Sequence, residues 1–205
     1  PGPTTDSPLN GSLGFALCGV DDMNSDGVDD AIVSATGAAQ PGAGAGALLV
    51  YALSTSGAAS FLAHISAATS PAVFASVGID SILGVSLSLT ADLNADGRRD
   101  LLVGDVPSSS GTGAVRVLYL AEQGGVIGAD SITDRAGIEG IGIVSANQGF
   151  GRTVADAGDL DGDGLLDWFI AQPDANGFLH VYGSKFNMPS RGCSAQLQTA
   201  DVSGF

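Results

Sequence analysis

The chain is most constrained by the stretch Asp159-Leu160-Asp161-Gly162-Asp163-Gly164-Leu165-Leu166-Asp167-Trp168-Phe169-Ile170. It places carboxylates at positions 1, 3, 5 and 9 of a loop and a glycine at position 6, and then enters an apolar run. Oxygen side chains on alternate residues of a tight bend can converge on one point, which suits a hard cation that takes six to eight oxygens; calcium is the expected occupant. The same pattern occurs as Asp22, Asn24, Asp26, Gly27 and Asp30, and again as Asp92, Asn94, Asp96, Gly97 and Asp100. Each copy runs into a short apolar segment: Ala31-Ile32-Val33, Leu101-Leu102-Val103 and Trp168-Phe169-Ile170. The chain is therefore an internal repeat of one supersecondary unit.

The last ligand decides the kind of loop. A helix-flanked EF-hand carries Glu at position 12, where this sequence has Val33, Val103 and Ile170. The final carboxylate instead sits at position 9, on the threshold of a strand. A plain Asp-Gly or Asn-Gly turn needs only one or two such residues, whereas four oxygen side chains recur here in three copies. Glycine at position 6 allows the sharp bend without a β-carbon penalty.

Each loop is followed by a second apolar run: Ala47 to Leu53, Ala114 to Leu120 and Gly177 to Tyr182. These are too short for typical helices and are apolar on both faces, as in a strand covered on both sides. Weaker strands are expected near Ser60 to Ser66, Ser131 to Ile138 and Ser194 to Thr199. Leu13 to Val20 leads into the first loop, Ala31 to Ser34 follows it, and the glycine-dense Gln40 to Gly46 reads as a loop. The fold class is all-β. Four short antiparallel strands per unit, each sheet covered by its neighbours, describe β-propeller-type blades. The expected boundaries are an extended arm over 1–12 and repeats over 13–80, 81–147 and 148–205.

The units resemble the FG-GAP repeats of integrin α-subunit propellers. Phe150-Gly151 and Leu83-Gly84 stand where that family has Phe-Gly. Ala171-Gln172-Pro173 and Val103-Gly104-Asp105-Val106-Pro107 follow the strand where it has Gly-Ala-Pro, and the first unit departs furthest, with Gly14-Phe15 and Val33-Ser34-Ala35-Thr36. The resemblance implies three Ca²⁺ sites. Their ligands would be the side chains of Asp22, Asn24, Asp26 and Asp30, of Asp92, Asn94, Asp96 and Asp100, and of Asp159, Asp161, Asp163 and Asp167. Position 7 would add the backbone carbonyls of Val28, Arg98 and Leu165. The third loop has a carboxylate where the others have Asn, so it is expected to bind most tightly. Closed propellers have typically four to eight blades, so three units imply a longer propeller, completion by another subunit, or a different closure.

The formal charge of −15 fits this reading, since ten of the 22 acidic residues are the loop aspartates. Three bound Ca²⁺ ions would bring the charge to −9 and relieve repulsion where it is densest. Such acidity argues against nucleic-acid partners, which want clustered Lys and Arg. The one adjacent basic pair, Arg98 and Arg99, reads as a solvated loop tip. No apolar run approaches the length of a membrane span, so no membrane insertion is expected.

Pro1-Gly2-Pro3-Thr4-Thr5 lacks the regions of a signal peptide, as a mature secreted chain would. An extracellular or cell-surface location also suits weak calcium sites, and Asn10-Gly11-Ser12 is a glycosylation sequon. Cys18 and Cys193 have two readings, one disulfide or two small buried hydrophobes. His64 and His180 have no nucleophile motif beside them, and Trp168 reads as core.

Function classes follow in order. The first is a non-catalytic calcium-stabilised extracellular scaffold or adhesion module, binding protein partners or associating with itself through exposed blade edges. The alternative is a carbohydrate-binding, lectin-like propeller, which would need aromatic platforms. The third is a calcium-dependent hydrolase or lyase accessory domain.

Overall fold

The computed structural model describes residues 12–39, 45–74, 81–108, 113–133, 149–159, 166–173, 179–186 and 197–200. The described chain is all-β, with no helix longer than a single turn. No described helix is long and apolar enough to cross a membrane.

The strands form three four-stranded antiparallel sheets, each running in sequence order. Sheet 1 is β1 (Leu13–Val20), β2 (Asp30–Ala39), β3 (Ala45–Leu53) and β4 (Ala59–Ile65). Sheet 2 is β5 (Ser81–Leu89), β6 (Leu101–Pro107), β7 (Ala114–Leu120) and β8 (Val126–Thr133). Sheet 3 is β9 (Thr153–Gly158), β10 (Leu166–Pro173), β11 (Leu179–Phe186) and β12 (Leu197–Ala200). One parallel pairing, Ala45 with Ile82, joins sheets 1 and 2. The first strands of successive sheets, β1, β5 and β9, lie next to one another.

Alternation along the strands explains the stacking, because successive side chains point to opposite faces. Leu101 and Val103 of β6 pack with Ile32, Leu48 and Val50 of sheet 1 in one core cluster. Leu102 between them turns the other way and packs with Phe150, Trp168 and Ile170 in a second cluster. Sheet 2 is therefore buried on both faces, which is why its strands read as continuous apolar runs. Trp168 is fully buried in this second core, and its Nε1 donates to Thr90 Oγ1 across the junction at 3.0 Å. Sheets 2 and 3 are tied further by Ser86 Oγ donating to the Gly151 carbonyl at 2.9 Å and by the Asp156 amide donating to Ser88 Oγ at 2.9 Å.

Glycine sets the closest approach between sheets. A β-carbon built on Gly46 would overlap the Leu83 carbonyl oxygen, and one built on Gly113 would overlap that of Phe150. The two contacts are the same contact repeated, and each presses the start of a third strand onto the Leu-Gly or Phe-Gly pair that opens the next unit.

Several boundaries differ from the sequence expectation. β2 continues through Ala39 instead of stopping at Ser34, because Ser34, Ala35, Thr36 and Ala38 are buried although small. Gly46 lies in β3, not in a loop. β8 begins at Val126, five residues ahead of the expected Ser131, because the tight turn Glu122–Gly124 returns the chain at once. The arm through residue 11, with Asn10, and the expected start of the third weak strand, before Leu197, lie outside the described residues.

Candidate metal centre

Each aspartate loop joins the first strand of a sheet to its second. The first two loops share one conformation. Ser25 and Ala95 at position 4 are left-handed (φ 64° and 60°), and so are Gly27 and Gly97 at position 6 (φ 87° and 90°). A β-carbon at position 6 would be strained there, which accounts for the glycine.

The side chains fold inward onto loop amides in matching sets. The Asp22 carboxylate accepts from the amides of Asp26 (3.1 Å) and Gly27 (2.8 Å), Asn24 Oδ1 from Asp26 (3.0 Å), and Asp26 Oδ1 from Val28 (2.9 Å). In the second loop Asp92 accepts from Asp96 (3.1 Å) and Gly97 (2.7 Å), Asn94 Oδ1 from Asp96 (3.0 Å), and Asp96 Oδ1 from Arg98 (2.9 Å). The side-chain amides of Asn24 and Asn94 donate to Asp26 and Asp96 Oδ2 at 2.8 and 2.9 Å. The Gly27 amide above all, with other loop amides, holds the Asp22 carboxyl below the usual carboxylate range.

Position 9 is different because it is buried. Asp30 is anchored by the Met23 amide to Oδ2 (2.8 Å) and by the Leu53 amide, at the end of β3, to Oδ1 (3.0 Å). Asp100 Oδ2 likewise accepts from Leu93 at 2.7 Å. Its Oδ1, however, is buried with no hydrogen-bond partner. The Leu120 amide, the counterpart of Leu53, faces Asp100 and lowers its pKa as a hydrogen-bond donor, but does not reach full hydrogen-bond geometry at Oδ1. Burial pushes the Asp100 carboxyl up to about 6, and the carboxylates of Asp96 and Asp92 add to the rise.

Among the described residues no three carboxylate, imidazole or thiolate groups converge at metal-ligating distance. In the first two loops the donors are turned toward backbone amides instead. The donor set still fits a hard divalent cation in chemical type, since it is made only of oxygen. Asp100 Oδ1, a buried carboxylate oxygen with nothing bound to it, is the one orphaned acceptor in the two loops. In the third loop Asp159 is exposed and Asp167 buried at the start of β10, and Asp161, Asp163 and Leu165 lie outside the described residues.

Arg98 and Arg99 lie at the surface, as expected, but each is also ion-paired. Arg98 Nη2 pairs with Glu122 at 2.7 Å, and Arg99 Nε donates to Asp21 at 3.0 Å, a fork that links the second loop to the start of the first. The Gln123 amide also donates to the Met23 carbonyl at 2.8 Å, so the β7–β8 turn props the first loop. A pairing 78 residues apart leaves no signal in the sequence.

Cys18 is half-buried against the first core, where burial raises its thiol pKa, and Cys193 lies outside the described residues. His64 stacks on Phe61, with ring centroids 6.3 Å apart. The sequence matches no protein-family model and no curated protein.

Proposed function

We propose that this chain is a calcium-stabilised extracellular scaffold of three FG-GAP-like units, built as propeller-type blades, which presents surfaces to protein partners or to itself without catalysing a reaction. Asp100 carries the reading. A buried carboxylate oxygen without a partner costs about 1–3 kcal/mol, and a cation at the loop would offset that cost. Asp22, Asn24, Asp26 and Asp30, and their counterparts in the other two loops, would hold the ions. The ions would supply charge neutralisation and rigidity. The propeller reading draws support from the adjacent first strands and from the face-to-face stacking of the sheets.

Equilibrium dialysis against radioactive calcium tests it. About three ions per chain are expected, and none at millimolar calcium would refute it. A carbohydrate-binding reading has one observation in its favour, the half-exposed ring cluster of Tyr51, Phe61 and His64. Glycan-array binding lost in Phe61→Ala would establish it.

A further inference from the structure

The first two aspartate loops face one another across a small cleft lined by Val20, Asp21, Met23, Arg98, Arg99 and Leu120. Arg99 spans it. Its Nε donates to Asp21 Oδ1 at 3.0 Å and to Oδ2 at 3.1 Å, and this pairing holds the Asp21 carboxyl below the usual carboxylate range. Asp21 directly precedes Asp22, the first donor of its loop. The Glu122–Gly124 turn supplies a second link. Glu122 pairs with Arg98, at position 7 of the second loop, and the Gln123 amide donates to the carbonyl of Met23, which sits between Asp22 and Asn24. The Met23 amide in turn donates to Asp30 at 2.8 Å. Just ahead of the turn, Leu120 faces Asp100.

That turn has little room to yield. A β-carbon built on Gly124 would lie 2.8 Å from the Ala63 β-carbon of β4 and 3.1 Å from the Val50 β-carbon of β3, so the turn of sheet 2 is seated on sheet 1. A shift at Arg98 to Asp100 therefore reaches Asp21 and Met23 through packed groups. The same ion pair cannot join the third loop to the second, because Leu166 stands at the position of Arg99 and Ala91 at that of Asp21.

We propose that the first two loops take up cations cooperatively, occupancy of either raising the affinity of the other through Arg99 and the Glu122–Gly124 turn, with the third loop outside the pair. This rests on the calcium reading of the loops and says how two of the sites are regulated. Occupancy of the second loop would fix Arg98 and Asp100, and with them the groups that hold Asp21 and Met23, so less conformational freedom remains for the first loop to lose on binding. Coupling between binding sites is reciprocal, and about fivefold is expected, the lower end of its usual range, because the Arg99–Asp21 pair is exposed.

The test is calorimetric titration of calcium into the full chain. Asp92→Asn with Asp96→Asn removes two charges from the second loop but keeps side-chain oxygens for its amides. It should abolish one site and weaken one of the two that remain about fivefold, and Asp22→Asn with Asp26→Asn should do the same in reverse. Asp161→Asn with Asp163→Asn should abolish one site and leave the other two unchanged. Arg99→Ala, at a pair the fold does not depend on, should keep all three ions while lowering the affinity of one, and the effect should shrink at high salt. A parent that binds no calcium would overturn this proposal together with the reading it rests on. Three ions in the parent, with the surviving affinities unmoved or tightened when the neighbouring loop is disabled, or unmoved in Arg99→Ala, would overturn the coupling alone.

Discussion

Gly113→Ala tests whether the sheets are pressed together as described. The new methyl would overlap the Phe150 carbonyl oxygen and lie 3.1 Å from the Phe150 amide nitrogen. Both atoms are backbone, so no side chain can swing aside. Either strain is retained, at about 1–3 kcal/mol for an overpacked core, or Phe150 withdraws and gives up roughly 1.5–3 kcal/mol of burial. We expect a loss near 3 kcal/mol, which for a chain of this length lowers Tm by about 6–12 °C. Gly46→Ala meets the Leu83 backbone in the same way and, at φ 114°, adds backbone strain, so it should cost at least as much. Gly19→Ala is the control, because it is exposed on β1 with no atom within 4 Å of the added carbon; its effect should stay within about 0.5 kcal/mol. Thermal and urea unfolding by circular dichroism would measure all three. If Gly113→Ala melted within a degree of the parent, the repeated close contact would be wrong.

Trp168→Ala should cost about 3–5 kcal/mol through the cavity it leaves, and Trp168→Phe less, chiefly through the lost bond to Thr90; urea unfolding checks both. In chelator, burial raises the folded-state pKa of Asp100 from 3.8 to about 6, so the folded chain binds the proton more tightly than the unfolded chain between those values. Its contribution to stability therefore falls as pH rises through that window, by up to roughly 3 kcal/mol. Asp100→Asn should flatten that dependence in chelator, and an unchanged pH–Tm profile would count against it. Arg99→Ala should cost no more than about 1 kcal/mol, and less at high salt, because its pair with Asp21 is exposed. Asp161→Asn should lower the affinity of the tightest calcium site by calorimetry, and an unchanged tightest site would refute the ranking of the third loop.

What could be read in advance was whatever a local period or spacing dictates. Ala114 to Leu120 announced a strand covered on both faces, and the structure divides its side chains between two cores, Leu118 and Leu120 in one and Val115 and Val117 in the other. Four oxygen side chains at fixed offsets announced the shared loop conformation of Asp22 to Asp30 and Asp92 to Asp100, down to the left-handed glycine. The length of β2 was not legible, because Ser34, Ala35, Thr36 and Ala38 are small and carry no strand signature; the fold buries them, Ala35 and Ala38 beside Ala47 and Leu49 of β3. Gly46 looked like loop composition for the same reason, since its role is set by Leu83 of another sheet. Asp105 and Arg116 form a buried ion pair between β6 and β7 with Nη2 to Oδ2 at 2.7 Å, and nothing near Arg116 in the sequence separates it from a surface residue. The position 9 aspartate stood out only as a candidate ligand, and its burial and the orphaned oxygen of Asp100 depend on the end of β7, which only the fold brings there.

Thermal unfolding of the parent chain in millimolar calcium and in excess chelator tests the central claim most directly. An ion that binds only the folded state at a hundred times its Kd adds about 2.7 kcal/mol per site, so three sites should raise Tm by well over 10 °C for a chain of this length. Coincident melting curves in the two conditions would contradict the account.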